Sequence, residues 1–160
     1  MYYCFLGTMQ LPQAPGAITT TIKDKNETIS LINGGDINIL KSPGLTELNF
    51  EVFIPHTKYP FSAYGTGGIV GASTLFGYLE QLKTSKVHFR FIVCRMTPNN
   101  RKMLWNTNIL VALSDYQIKE DSENGLDQYV EINLKQAPLY FTKTLTTDSN
   151  GKTTVSSKRG

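Results

Sequence analysis

A chain of 160 residues is long enough for one domain with its own hydrophobic core and a tail. Hydrophobic residues at 40% and aromatics at 11% exclude a chain too polar to fold. Sixteen basic and thirteen acidic residues leave a formal charge of +3 without a basic stripe, so no nucleic-acid footprint is written in the charge.

Residues 2–6 are apolar and aromatic and predict a short strand. Pro12, Pro15 and Gly16 make 11–16 a loop. From residue 17, Ile18, Thr20 and Ile22 alternate with Thr19, Thr21 and Lys23, the two-residue period of a strand. Asp24 to Asn26 is a turn into a strand over 27–32. Asn33-Gly34 supplies the positive φ of a tight hairpin, and Ile37 and Ile39 resume the alternation.

Residues 45–54 give a clear strand. Leu48, Phe50, Val52 and Ile54 share one face, and Glu47, Asn49 and Glu51 the other. Pro55 ends it, because proline cannot donate to the ladder. A loop rich in Pro and Gly runs from 55 to 71. One helix is predicted over about 73–84, with Ser73 as cap and Leu75, Leu79 and Leu82 spaced along one stripe.

Strands return at 87–95, with Phe89, Phe91 and Val93 on one face. A strand or strand pair follows at 104–118, with Ile109, Val111 and Leu113 on one face. After a polar turn at 121–125, residues 127–135 set Val130, Ile132 and Leu134 against Tyr129, Glu131 and Asn133. Beyond Leu145, Thr, Ser, Asp, Asn, Gly and Lys dominate, and Val155 is the only apolar residue. That composition predicts a flexible linker or tail over 144–160, behind a domain over 1–143.

Catalytic patterns are absent from the sequence. The two cysteines, Cys4 and Cys94, lack zinc-knuckle spacing, and His56 and His88 are isolated, so no metal and no cofactor is expected. Cys4 and Cys94 read as buried thiols, or as a disulfide if their strands are neighbours. No GxSxG elbow occurs. Gly65-Thr66-Gly67-Gly68 precedes the helix, but Val70 breaks the dinucleotide fingerprint and no GK[ST] follows. The chain is therefore expected not to be an enzyme. No apolar run approaches the ~20 residues that span a bilayer, and no basic leader precedes the first strand, so cytoplasmic synthesis and no membrane partner are expected.

Alternating strands of this kind bury one face and leave the other for contacts, so an antiparallel β-sandwich or barrel with a flanking helix is expected. Its core faces hold Phe50, Phe91, Val111 and Ile132. Glu47, Asn49 and Glu51 on the polar strand face, with Pro55, Tyr59, Phe61 and Tyr64 of the following loop, are the candidate interface residues.

The stretch 28–47, TISLINGGDINILKSPGLTE, is accompanied by Phe53-Ile54-Pro55 and Lys58-Tyr59-Pro60-Phe61. Further on stand Leu79-Glu80-Gln81-Leu82-Lys83, Phe91-Ile92-Val93-Cys94-Arg95 and Ser114-Asp115-Tyr116. In this order they resemble the N-terminal domain of the LysM-containing tail and baseplate proteins of Gram-positive prophages, clostridial myophages and phage-tail-like bacteriocins. The likeness runs from about residue 2 to about residue 142. It implies a tail-tube-like fold and a structural place in the baseplate of a contractile tail. There a ring of copies, six by expectation, joins the tail tube to the central hub. The implied partners are the chain itself, tail-tube proteins and hub proteins, with DNA or the tape measure passing through the lumen without sequence-specific contacts. The implied location is the baseplate of a virion or tail-like particle, assembled in the host bacterial cytoplasm. Members of that family continue through a polar linker into a LysM domain, whereas this sequence stops in linker-like residues at Gly160. The alternative is a β-sandwich module that binds a cell-surface carbohydrate through aromatics of the glycine loop.

Overall fold

The computed structural model describes residues 1–32, 34–62, 70–99 and 102–138, and the backbone of 141–147 and 153–159. Its elements are β1 (Tyr2–Leu6), β2 (Met9–Gln10), β3 (Ile18–Thr21), β4 (Glu27–Leu31), β5 (Gly35–Ile39), β6 (Glu47–Ile54), α1 (Ala72–Ser85), β7 (Phe89–Met96), β8 (Met103–Glu120), β9 (Gln128–Gln136), β10 (Phe141–Thr147) and β11 (Thr153–Arg159). The protein is mainly β, with antiparallel pairing in every ladder and one α-helix among the described residues.

Seven strands form one sheet in the order β2-β1-β7-β8-β9-β6-β3, and β4–β5 and β10–β11 are separate two-stranded ribbons. The sheet curls back on itself. Three strand spacings separate β7 from β6, about 14 Å in a flat sheet. Yet Phe50 of β6 and Phe91 of β7 stack with ring centroids 5.0 Å apart and planes 14° apart. Curling is what lets one sheet bury its own face, and the buried set follows the predicted alternation: Leu48, Phe50, Val52 and Ile54 on β6, Phe91 and Val93 on β7, Val130, Ile132 and Leu134 on β9. Leu75, Leu79 and Leu82 of α1 complete this core.

Two details differ from the sequence reading. The helix begins earlier than expected. Gly71, not Ser73, is its N-cap; its carbonyl accepts from the Thr74 and Leu75 amides, and no side chain caps the end. Ser73 therefore sits within the first turn, where its hydroxyl cannot be the cap. The segment 103–120 is one strand of 18 residues with an irregularity between Leu113 and Asp115. Ser114 is the extra residue there, and its carbonyl accepts from Lys83 Nζ of α1. Beyond this bulge the side chains change face, so Tyr116 turns toward the helix and donates to Glu80 Oε2 at 2.8 Å.

Residues 141–147 and 153–159 pair in full register, Phe141 opposite Arg159 through Thr147 opposite Thr153. An antiparallel ribbon thus stands where composition alone predicts a linker. The cysteine strands are neighbours, with Tyr3 opposite Cys94 and Cys4 opposite Val93. That register sends the two thiols to opposite faces of the sheet, and both are free. Burial pushes the Cys4 thiol up to about 11, with Arg95 acting against that rise and Cys94 adding to it.

Candidate interface surfaces

The polar side chains of β6 form one row of a larger ladder on the outer face of the sheet. Glu47, Asn49 and Glu51 stand opposite Lys135, Asn133 and Glu131 of β9. Glu47 bridges Lys23 at 3.0 Å and Lys135 at 3.2 Å. Hydrogen bonds from these two ammonium groups hold its carboxyl below the usual range. Lys119 of β8 joins Glu51 at 3.0 Å and Glu131 at 3.1 Å. Its pKa rises because the two carboxylates, Glu51 first, accept from it. Asn49 Nδ2 donates to Glu131 and Asn133. Such exposed pairs fix side-chain positions more than they stabilise the fold.

The loop after β6 is pinned by an aspartate 71 positions away. Asp127 Oδ1 accepts from the His56 amide at 2.9 Å and meets His56 Nδ1 at 2.6 Å. Its Oδ2 accepts from the Tyr59 hydroxyl at 2.8 Å. Burial acts to raise the Asp127 carboxyl, but the His56 and Tyr59 donors outweigh it and hold the pKa low. The same bond raises the Tyr59 phenol. Tyr59 in turn stacks on Phe61 with centroids 5.2 Å apart, and Phe53 touches Tyr59, Phe61 and Tyr129 at 6.0, 6.3 and 5.2 Å.

Two sets of the predicted residues therefore meet. Asn49 and Glu51 of the ladder line one groove of about 510 Å³ with Phe61, Phe53 and Tyr129, and residues 13–17 form its far wall. Phe61 is 58% exposed. Glu47 lies apart, at the Lys23 end of the ladder, and Pro55 is buried and shapes the chain without reaching solvent. Tyr64, like Gly65 to Gly68, lies outside the described residues.

Three features have no counterpart in the sequence reading. Asp127 is one; its role needs a contact between β9 and the loop that spacing does not encode. The second is an exposed sandwich. Tyr2, Arg95 and Trp105 stand directly opposite one another on β1, β7 and β8. The Arg95 guanidinium lies 3.4 Å from the Trp105 ring centre and 5.5 Å from that of Tyr2. This row borders a groove of about 790 Å³ shared with Ile18, Pro60 and Phe61. The third is exposure: the hairpin predicted from residue 27 through Ile39 forms as β4–β5, but every residue of its two strands is exposed.

Among the described residues no cluster of three or more His, Cys, Asp or Glu converges on a point. None of the described helices is long and apolar enough to cross a membrane.

No family model and no curated protein sequence matches the chain. Solved structures do. A chain of an extracellular contractile injection system, from the PVC sheath-tube complex in the extended state, superposes with a TM-score of 0.58 at 11% identity, covering 86% of this chain and 84% of that one. A chain of the PVC sheath/tube terminator in the extended state gives 0.56 at 11% identity, over 86% and 89%. The anti-feeding prophage cap, the AFP tube terminating cap, gives 0.54 at 8% identity, over 84% and 83%. The curled sheet with its helix is thus a fold shared with components of contractile injection particles.

Proposed function

We propose that this chain is a non-enzymatic structural subunit of a contractile phage tail or tail-like particle. In it, copies of the chain form a ring, six to the turn, that joins the tail tube to the central hub of the baseplate. The observation that carries this reading is the superposition over 86% of the chain on a component of an injection-system sheath-tube complex. The resemblance of 28–47 and its accompanying blocks to baseplate proteins supports the hub junction over the tube itself. The domain over 1–143 makes the ring.

The surfaces suit the role. A ring needs two different patches on each copy, since only a head-to-tail contact repeats around an axis. Here one side of the sheet presents a charged ladder, and the loops at 11–16 and 55–61 crowd the groove beside it. The carbohydrate-binding alternative rests on the Phe53, Phe61 and Tyr129 rings in that groove. The neighbouring Asn49 and Glu51, which would have to meet sugar hydroxyls, already bond within the ladder.

Reconstruction by electron microscopy of particles from cells making the chain tests the proposal. The expected result is sixfold density for this chain at the junction of tube and baseplate. Particles complete without it, or glycan-array binding by the isolated chain with no place in a particle, would reject the assignment.

A further inference from the structure

The β4–β5 ribbon is amphipathic, and its apolar side chains stay exposed. Ile29 stands opposite Ile37, and Leu31 and Ile39 share their face, with Glu27, paired to Lys41, at its far end opposite Ile39. These four side chains are 40–49% exposed, and Ile32 at the tip is 100% exposed. The other face carries Thr28, Ser30, Asp36 and Asn38, with Ser30 Oγ donating to Asp36 at 2.6 Å. A lone two-stranded ribbon is marginal in water, and one apolar face makes it want cover.

The same chain carries a second apolar surface, on the outside of the sheet. Phe5 stands opposite Ile92, and Tyr3 opposite Cys94. Met96 pairs with Met103 beyond them. Tyr3, Phe5, Cys94, Met96 and Met103 line a shallow groove of about 400 Å³ that is almost wholly apolar. From Phe5 to Met96 the groove runs about 14 Å, the span of a five-residue ribbon strand from its first residue to its last.

We propose that the apolar face of the β4–β5 ribbon of one copy docks in the Cys94 groove of the next copy. This rests on the ring reading above and names its contact. The occupant is a second copy because of the areas. A buried Ile or Leu side chain removes about 100 Å² of apolar surface, so the ribbon offers roughly 300–400 Å². With its seat, one contact hides about 700 Å², short of the ~1,200 Å² at the lower limit for a stable free-standing pair. A single contact is therefore weak. Each copy gives one ribbon and receives one, so closing a ring satisfies every ribbon and makes the set strong where the pair is not.

The native thiol in the groove supplies the test. A full-length Ile37→Cys/Cys94→Ser chain is mixed at roughly millimolar concentration with the unaltered chain, where weak contacts are populated. A short bis-maleimide then joins neighbouring thiols, and peptide mass spectrometry maps the product. A bond between the introduced thiol and Cys94 can form only between copies. It is expected as the main product, with Ile29→Cys/Cys94→Ser giving the same. Adding Ile37→Asp to the Ile29→Cys/Cys94→Ser chain should lower the yield of the bond to Cys94 of the unaltered chain at least tenfold. Circular dichroism of each variant should match the parent, since the altered positions on the ribbon are exposed.

Crosslinks only between introduced thiols would mean ribbon against ribbon, a two-fold contact, and would overturn the proposal. Absence of any bond to Cys94 overturns it too. If multi-copy species still form in that case, the ring reading stands and only this contact falls. If they do not, and particles also lack a ring of this chain, both fall.

Discussion

Asp127 shows how much one side chain organises. It accepts from the His56 amide and the Tyr59 hydroxyl and meets the His56 ring, and so ties the loop after β6 to the start of β9. Those bonds put its folded pKa below the ordinary 3.8. A carboxylate lowered on folding stabilises the fold above its unfolded pKa, and that contribution disappears as pH falls through the folded value. In Asp127→Asn, melting temperature should therefore fall less steeply from pH 5 to pH 3 than in the parent, as thermal unfolding would record. Parallel curves would contradict the assignment. The same variant should loosen the Tyr59–Phe61 stack. Nothing in the sequence names Asp127: it sits 71 positions from His56, and the histidine alone reads as isolated. Glu47, Asn49 and Glu51 were legible as one polar face because period two fixes facing. Their partners Lys119 and Lys135 were not, because register is a tertiary property.

At the level of elements, the helix and its seat yield opposite predictions for two glycines. Gly77 lies exposed in α1, with no atom within 4 Å of where a Cβ would stand. Gly77→Ala should stabilise the protein by about 0.5–1 kcal/mol in denaturant unfolding, from chain entropy and helix propensity. Gly7, in the turn from β1 to β2, has φ +59°, and a Cβ there would meet the Tyr78 hydroxyl at 2.7 Å. That hydroxyl donates to the Leu6 carbonyl and anchors α1 to the sheet edge. Gly7→Ala should destabilise by about 1–3 kcal/mol, and the Tyr78→Phe background should absorb part of the loss. Strand existence was readable wherever alternation ran five residues or more, as on β6 and β9. The cap at Gly71 was not, because it uses a backbone carbonyl without a side-chain signature. The bulge at Ser114 was also hidden: Leu113 and Tyr116 each fit an alternating pattern, and only pairing with β9 shows the residue between them. The pairing of 141–147 with 153–159 went unread because a Thr- and Ser-rich composition is shared by linkers and strands.

Over the whole molecule, the core depends on a sheet curled far enough for β6 and β7 to touch across it. Phe50 and Phe91 are that contact, both fully buried. Phe91→Ala should lower stability by about 3–5 kcal/mol, more than any substitution on the outer ladder, by chemical denaturation. Composition set the mainly β class, but not the strand order, in which β1 joins β7 and β6 joins β9 over separations of dozens of residues. The fold is shared with chains of contractile injection particles at 8–11% identity. Outside the core the described residues include a charged ladder, three grooves and an apolar ribbon, all suited to contact with other chains. The most direct measurement is the position and copy number of this chain in an intact particle by electron microscopy. The account predicts one closed ring of six at the junction of tube and hub, and particles assembled with this chain absent, or present as a single copy off the axis, would contradict it.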